Sequence, residues 1–318
     1  MEKTGRTSNR DAILPLRLRA GDRVRLVSPA STPSEDDVSL YAAILESWGL
    51  QVELGKHVFA QVGYLAGRDE ERLADINDAL RDDGVRAIFA TRGGRGSYRI
   101  ADRLDFSAAA ADPKFVVGFS DNTALHLALF RACRLVGIHG GLSSWNAKSI
   151  GREAVETLRS ALTTSNAILV QSDPSESTSS LATRGQVAGR LIGGNLDTLA
   201  ICAGWALPSL DGCILLMEAI EMGLGQVDRQ LTMLAKAGHL DGVRGVAVGQ
   251  FTHFDSVIDG WSILDVLRDH FDRLGVPILG GLPLGHGQNA RTVPIGAQAI
   301  LDADGGSLQV AAGSRSHS

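Results

Sequence analysis

The chain has 318 residues, of which 44% are hydrophobic and 21% are charged, a composition typical of a globular protein that buries its own core. Its formal net charge of −5 gives no electrostatic reason to expect a nucleic-acid partner. Its three cysteines are too few and too scattered for a disulfide framework, and no run approaches the roughly 18 apolar residues of a membrane span, so we expect a cytoplasmic protein without a membrane partner.

Strand and helix patterns alternate along the first half of the chain. After residues 1–13, which we expect to form a disordered tail, the pattern runs strand, helix, strand, helix, strand in the segments DRVRLVSPAS, VSLYAAILESWGL, QVELGKHV, DEERLADINDALRDDG and VRAIFA. Apolar residues recur at helical spacing in the second and fourth segments, each of which has a glycine near its end. This alternation predicts an α/β lobe over 14–165, built on a parallel sheet with helices on both faces.

A glycine-rich turn, ATRGGRGSYR, follows the third of these strands. It is too short for a phosphate loop, lacks that loop's lysine and does not match the dinucleotide fingerprint, so we expect no nucleotide cofactor there. Glycine lets the backbone approach a ligand closely and adopt positive φ, which makes the amides of this turn candidates for binding an oxyanion. Arg92, Gly93 and Arg95 in the turn are candidate substrate-binding residues.

The segment KFVVGFSDNTALHLAL (114–129) places Ser120 on a tight turn between an apolar strand and a helix. This is the context of a nucleophile elbow, in which a sharp turn lifts a serine hydroxyl clear of the sheet. Position 122 is Asn where hydrolase elbows have glycine, and a helix N-cap formed by Ser120 or Asp121 explains the same residues equally well. Parallel strands would bring this turn beside the glycine-rich turn at the carboxyl edge of the sheet.

Residues 171–185, QSDPSESTSSLATRG, lack periodicity and are rich in Ser, Thr and Pro, which predicts a linker or mobile loop within 166–185. Residues 186–318 resume mixed strand and helix patterns with denser glycines. We expect them to form a smaller second lobe, α/β or barrel-like, with shorter strands.

A catalytic serine needs a base, and two of the eight histidines are candidates. His286 lies in a glycine-flanked loop, and loops of that kind often hold catalytic groups. His139, in GIHGG, either lines the site or is a hydrogen-bonded core histidine. The sequence has no HExxH motif, no paired cysteines and no dense His/Asp cluster, so we expect no metal site.

A histidine base in turn needs a carboxylate that holds its tautomer. Glu218 ends the apolar run CILLM, so we expect it at the buried end of a strand, where an ionised carboxylate requires a partner. That partner is either a catalytic histidine or a structural cation. Glu221 and Asp228 are alternatives that we expect to be exposed.

The sequence resembles the LD-carboxypeptidase family of serine peptidases (muramoyl-tetrapeptide carboxypeptidases), whose relatives include the microcin-C-immunity amidases. The resemblance extends from about residue 14 over nearly the whole chain and is carried by the motifs LRAGDRVRLVSPAS, GYLAGRDEERLADINDAL, IFATRGGRGSYRIADRLDF, PKFVVGFSDNTALHLAL, GIHGG, GRLIGGNLDTLA, LLMEAIEMGLGQVDRQLTML and GHGQNARTVPIGA. It implies an N-terminal flavodoxin-like lobe, a smaller C-terminal lobe with a β-rich core over 186–318, a cleft between them and a homodimer.

The resemblance also implies roles for particular residues. Ser120 would be the nucleophile, His286 the base, and Glu218 the carboxylate that orients the histidine. Backbone amides of Gly94 and Asp121 would form the oxyanion hole.

The implied function is hydrolysis of the terminal D-alanine from small peptidoglycan-derived tetrapeptides during cell-wall recycling, without a cofactor. One alternative keeps the triad and hydrolyses a peptidyl-nucleotide antibiotic of the microcin C type, and another is a non-catalytic binder of wall peptides. Two departures from the family pattern bear on substrate preference: Arg95 stands where an aromatic residue is usual, and EAIE replaces the commoner ED at residue 218.

Overall fold

The computed structural model describes residues 11–142, 151–254, 257–287 and 289–317. Two sheets with helices packed around them confirm the α/β class. Of the tail expected over 1–13, residues 1–10 lie outside the described ranges, whereas Ile13 pairs with Leu135 in an isolated bridge. No helix among the described residues is long and apolar enough to cross a membrane.

The first half of the chain alternates strands and helices as predicted. Its elements are β1 (Arg23–Val27), α1 (Glu35–Ser47), β2 (Gln51–Leu54), α2 (Asp69–Arg81), β3 (Val85–Ala90), α3 (Phe106–Ala111), β4 (Phe115–Gly118), α4 (Thr123–Cys133), β5 (Gly137–His139) and α5 (Arg152–Thr163). Strands β1 to β5 are parallel and lie in the order β5-β4-β3-β1-β2. Helices cover both faces, since α1 and α5 pack on one and α2, α3 and α4 on the other.

The second half contributes all seven strands of a second sheet. Its elements are β6 (Ile168–Gln171), β7 (Gln186–Asn195), α6 (Leu196–Cys202), β8 (Cys213–Ile220), α7 (Leu224–Lys236), β9 (Gly245–Thr252), α8 (Ile263–Phe271), β10 (Ile278–Leu279), β11 (Val293–Ile295), β12 (Gln298–Asp302) and β13 (Ser307–Val310). The strand order is β10-β9-β8-β7-β12-β13-β6, parallel from β10 to β7 and antiparallel beyond. Strands β7, β8 and β9 are 10, 8 and 8 residues long, so they are longer than those of the first sheet, and the expectation of shorter strands is wrong.

The structure differs from the expected linker over 166–185. Residues 168–171 form β6, the edge strand that pairs with β13. Beyond it, Thr178 is fully buried, and its hydroxyl donates to the Gly249 carbonyl at 3.0 Å while accepting the Gly281 amide at 3.0 Å. Ser and Thr side chains that hydrogen-bond to the backbone give this segment a packed structure without periodicity.

The two halves of the chain share structure. Strand β11, from the second half, extends the first sheet by pairing antiparallel with β5. One continuous apolar cluster includes Leu125 of α4 and Leu199 of α6, so the side chains between the sheets form a common core. Shared packing of this kind holds the carboxyl ends of the two parallel strand sets in a defined relation.

Candidate active site

Ser120 lies on the turn between β4 and α4, where the backbone is strained. Residues Ser120–Asn122 form a single 3₁₀ turn, and Ser120 has φ 59°, the left-handed region that non-glycine residues rarely adopt. Among the residues that the structure describes, no side chain caps α4 through a hydrogen bond, so the N-cap explanation of this serine does not hold. A strained, half-buried serine on a strand–turn–helix corner is the geometry of a nucleophile elbow.

The glycine-rich turn packs directly against the elbow. A Cβ atom on Gly93 would lie 2.7 Å from the Cβ and 3.0 Å from the Oγ of Ser120, so only glycine fits there without displacing the serine. The Asn122 side-chain amide donates to the Arg92 carbonyl at 3.1 Å and ties the two turns together. The neighbouring parallel strands β3 and β4 thus bring these turns together, as the sequence predicts.

Gly94 occupies a conformation that a side chain could not share. Its φ is +108°, and a Cβ atom there would lie 2.4 Å from the Ser31 Oγ. The same hydroxyl accepts the Arg95 amide at 3.2 Å, which anchors the turn to the loop after β1. Ser31 was missed by the sequence analysis, because its position beside the turn depends on the pairing of β1 with β3.

The Asp121 carboxylate is buried and connects the elbow to Ser97 of the glycine-rich turn. Its Oδ2 accepts the Ser97 amide at 2.7 Å, and the Ser97 hydroxyl donates to the Asp121 carbonyl. Burial raises the pKa of Asp121 to about 6, against the opposing effect of the Ser97 hydrogen bonds. The Asp121 side chain therefore has a structural role, whereas the Asp121 backbone amide is the candidate oxyanion donor.

Glu218 and His286 form a buried pair. The distance from His286 Nδ1 to Glu218 Oε2 is 2.7 Å, and their side chains are 3% and 0% exposed. Burial alone would raise the pKa of Glu218, but His286, with smaller effects of His139 and Asn195, outweighs burial and lowers the pKa, so the carboxylate is ionised at neutral pH. An ionised carboxylate only accepts hydrogen bonds, so the imidazole proton lies on Nδ1.

Two glycines allow the histidine loop to approach β8 this closely. A Cβ atom on Gly285, which has φ +136°, would lie 2.9 Å from Glu218 Oε2. A Cβ atom on Gly249 would lie 3.2 Å from the Glu218 Cβ and 2.3 Å from the Leu284 carbonyl. The glycine-flanked context of His286 in the sequence therefore reflects a close approach to the buried carboxylate.

The rival carboxylates have other partners and are exposed, as expected. Glu221 Oε1 lies 3.0 Å from His253 Nδ1, and Asp228 Oδ1 lies 2.9 Å from His270 Nε2. Neither pair involves His286.

Contacts between the two halves bring the elbow to the buried pair. The ring of Phe119, the residue before Ser120, lies 5.1 Å from the ring of His286, centroid to centroid. The backbone amide of Asn195, at the end of β7, donates to the Thr123 hydroxyl at the start of α4 at 3.1 Å. Asn195 is also paired in register with Glu218. Phe119 and Asn195 were missed by the sequence analysis, although the glycine-rich end of IGGN is a signal that could have drawn attention to Asn195.

His139 is buried on β5 beside the elbow, opposite Gly118 of β4. Within the part of the chain that the structure describes, neither of its ring nitrogens has a hydrogen-bond partner, so the expectation of a hydrogen-bonded core histidine is wrong. Burial lowers its pKa to about 4, with Glu218 opposing and His286 reinforcing the shift. His139 is therefore a neutral imidazole within electrostatic range of the buried pair.

Two arginines, Arg92 and Arg95, flank the paired glycines of the glycine-rich turn. Arg92 is half-buried, and its guanidinium donates to the Thr32 carbonyl at 3.3 Å. Arg95 has an exposed side chain. In the described ranges, no group of three or more His, Cys, Asp or Glu residues is arranged to hold a metal ion.

Comparison with known protein families matches the two halves of this chain to two successive domains. The family described as the LD-carboxypeptidase N-terminal domain matches residues 24–140, and the LD-carboxypeptidase C-terminal domain matches residues 188–301. A probable murein peptide carboxypeptidase of Bacillus subtilis is 36% identical, with 91% of each chain covered. The murein tetrapeptide carboxypeptidase of Pseudomonas aeruginosa is 33% identical over 88% of this chain and 93% of that protein.

Solved structures share the fold across both halves. The muramoyltetrapeptide carboxypeptidase of Oxalobacter formigenes has a TM-score of 0.81 and 27% identity, covering 93% of this chain and 100% of that chain. The Microcin C7 self-immunity protein MccF, known from Escherichia coli, has a TM-score of 0.83 at 24% identity, covering 94% of this chain and 98% of that chain. At 24% identity, the similarity to MccF is evidence of a shared fold alone.

Proposed function

The chain belongs to the LD-carboxypeptidase family, and from this premise we propose that it is a serine carboxypeptidase that removes the terminal D-alanine from peptidoglycan-derived tetrapeptides. Relatives named for murein peptides at 33–36% identity over most of the chain support the substrate class. The observation that carries the chemistry is the buried hydrogen bond of 2.7 Å between His286 and Glu218, next to the strained Ser120 elbow.

In the proposed mechanism, Ser120 attacks the carbonyl carbon of the scissile peptide bond. Because Nδ1 of His286 donates to Glu218, Nε2 carries the lone pair that accepts the serine proton. The ionised Glu218 stabilises the imidazolium that results. His286 then gives this proton to the leaving amino group of D-alanine, and the C–N bond breaks to leave an acyl-enzyme on Ser120.

Backbone amides stabilise the negative charge on the tetrahedral intermediate. We assign this role to the Gly94 and Asp121 amides, because the glycine-rich turn packs so closely that a Cβ atom added to Gly93 would lie 3.0 Å from the Ser120 hydroxyl, and because Asp121 follows the serine directly. Removing one oxyanion donor typically costs about 10²–10³ in turnover. A water molecule, deprotonated by His286, then hydrolyses the acyl-enzyme and restores the serine hydroxyl.

A carboxypeptidase must also bind the carboxylate at the end of its substrate. Arg92 and Arg95 are the cations of the turn that packs against Ser120, and guanidinium groups match the geometry of a carboxylate. We therefore propose that these arginines, with Gly93 keeping the turn close, bind the terminal D-alanine carboxylate, and that His139 lines the site from β5 as a neutral group.

We also propose a cellular compartment and an oligomeric state for the enzyme. Its cysteines, Cys133, Cys202 and Cys213, are free, which supports a reducing compartment such as the cytoplasm. The family resemblance supports a homodimer, which size-exclusion chromatography with light scattering would test.

Incubation of the purified protein with an LD-linked murein tetrapeptide tests the proposal directly. We expect release of D-alanine, and loss of that release in Ser120→Ala, whose small side chain keeps the fold of the elbow. A parallel incubation with a peptidyl-nucleotide conjugate of the microcin C type tests the amidase alternative. Hydrolysis of the conjugate alone would replace the carboxypeptidase proposal, and tight binding of the tetrapeptide without turnover would favour a binder.

A further inference from the structure

A cavity lies at the opposite end of the second sheet from Glu218. It has a volume of about 500 Å³ and is formed by the carboxyl end of α4, the start of β7 and the loops that precede β8 and β9. Cys213, which lines it, is the first residue of β8, five positions before Glu218. At about 3.3 Å per residue of strand, the cavity is roughly 17 Å from the candidate catalytic carboxylate.

Four arginines from both halves of the chain line this cavity: Arg131 and Arg134 from α4, Arg190 from β7 and Arg244 from the loop before β9. Among the described lining residues the one carboxylate is that of Asp211, so positive charge is in excess. Across the described ranges, none of the four guanidinium groups forms an ion pair with a carboxylate. Concentrated cations without counter-ions are costly unless an anion is bound.

Neutral groups hold three of these guanidinium groups in place. Arg131 donates to the Leu207 carbonyl at 2.9 Å, Arg190 to the Gly296 carbonyl at 2.7 Å and Arg244 to the Ala188 carbonyl at 3.3 Å. Each guanidinium has five N–H donors, so most of its donors remain for a ligand. This arrangement pre-organises the positive charge without neutralising it.

Arg134 has a left-handed backbone conformation that glycine adopts more readily. It caps α4 in the left-handed conformation, with φ 64°, a position that helices most often give to glycine. Its guanidinium carbon lies 5.2 Å from the centre of the Phe130 ring, and that of Arg190 lies 5.6 Å from the same centre. Both guanidinium groups thus contact one aromatic ring, which stabilises two positive charges in the lining of the same cavity.

The negative end of the α4 dipole accounts for only part of the cluster. It favours cations at the carboxyl end of the helix and thus stabilises Arg131 and Arg134. Arg190 belongs to β7 and Arg244 to the loop before β9, so neither is part of the helix that ends here. A helix-capping role therefore does not explain why all four converge on one cavity.

We propose that this cavity binds a small molecule carrying a diphosphate group. Guanidinium forks match phosphate oxygens in pairs, and a diphosphate carries enough charge and enough oxygens to pair with more than one of the four arginines in the lining. The volume is typical of a small-molecule pocket and exceeds what inorganic phosphate alone would fill. Inorganic diphosphate and a nucleoside diphosphate share this chemistry, and the experiment distinguishes them.

Isothermal titration calorimetry with inorganic diphosphate, ADP, inorganic phosphate and citrate tests the proposal. The full-length wild-type protein should bind at least one diphosphate at least tenfold more tightly than phosphate or citrate, with affinity that falls steeply as NaCl is raised. Tighter binding of ADP than of inorganic diphosphate would identify a nucleotide as the better ligand, and the reverse would identify the free anion.

Two variants assign the binding to this cavity. Arg134→Gln and Arg244→Gln should each weaken diphosphate binding at least tenfold, whereas Arg159→Gln, which removes an exposed arginine on α5, should leave it unchanged. Ser120→Ala should also bind as the wild type does, because the catalytic elbow lies elsewhere. Unfolding midpoints without ligand show whether each variant is folded, and Arg244 is exposed enough for replacement to spare the fold.

Several results would overturn the proposal: no diphosphate binding by the wild type at millimolar concentration, equal affinity in the Arg134→Gln/Arg244→Gln double variant, or displacement of diphosphate by the murein tetrapeptide. None of these outcomes depends on hydrolysis, so failure here is distinguishable from failure of the proposed carboxypeptidase activity.

Discussion

Replacing Gly93 by alanine tests whether the glycine-rich turn sets the position of the nucleophile. The added Cβ atom would lie 2.7 Å from the Ser120 Cβ, whereas ordinary contacts begin at 3.4 Å, so the two groups must separate by about 0.7 Å. Gly93 has no positive φ, so the alanine itself is not strained. Ser120 cannot relax freely, because its turn is short and already has φ 59°.

The displacement should reduce catalysis far more than it reduces stability. A misplacement of about 1 Å can cost about 10²-fold in rate, so we expect kcat/KM to fall by about that factor, or about 2.7 kcal/mol of transition-state stabilisation. Overpacking typically costs about 1–3 kcal/mol of unfolding free energy, and the protein should remain folded.

The assay is D-alanine release from the tetrapeptide, measured beside denaturant unfolding. Gly225→Ala is the matched control, because Gly225 lies within α7 and, in the part of the chain that the structure describes, no neighbouring group lies within 4 Å of the added Cβ. That variant should keep full activity and gain about 0.5–1 kcal/mol of stability. A kcat/KM for Gly93→Ala within threefold of the wild type would refute the argument that this contact positions Ser120.

Three further predictions concern the same site. Glu218→Gln keeps the shape but removes the charge that orients His286, so turnover should fall about 10³–10⁴-fold, and a fall below tenfold would contradict the triad. Ser120→Gly should be more stable than Ser120→Ala by about 1 kcal/mol in urea unfolding, because only glycine relieves φ 59°; equal stability would argue against strain. Burial raises the Asp121 pKa to about 6 from 3.8, so the native state binds this proton more tightly than the unfolded state does. Protonated Asp121 therefore stabilises the native state, and this contribution to the unfolding free energy is lost as the pH rises from about 4 to about 6. Asp121→Asn lacks this loss, so its unfolding free energy relative to the wild type should rise by about 3 kcal/mol over that range, and a difference independent of pH would be inconsistent with the shift.

Local sequence patterns predicted the elements that carry the elbow because short-range chemistry determines them. The apolar run before Ser120 and the helical spacing after it leave only residues 119–122 for the turn, which requires an unusual backbone conformation. Glycines next to the candidate residues were equally informative, since Gly93 and Gly285 mark close approach by another side chain.

Other features depend on contacts that no local pattern records. The packed segment around Thr178 lacks periodicity because its backbone pairs with distant carbonyls and amides. Strand β11 joins the first sheet although it lies more than 150 positions from β5, and three residues are too few to reveal their partner. His139 looked like a hydrogen-bonded core residue, because burial can be read from its apolar neighbours whereas the partners of its ring nitrogens cannot.

By itself the sequence determined the α/β alternation, the strand–turn–helix corner at Ser120 and the buried strand end at Glu218, because each follows from residue types within a few positions. Only the tertiary structure decided that Glu218 takes His286 as its partner and that four arginines from two halves of the chain surround one cavity. The physical reason is that these charges meet through sheet pairing and a shared core, which act between residues far apart in the chain.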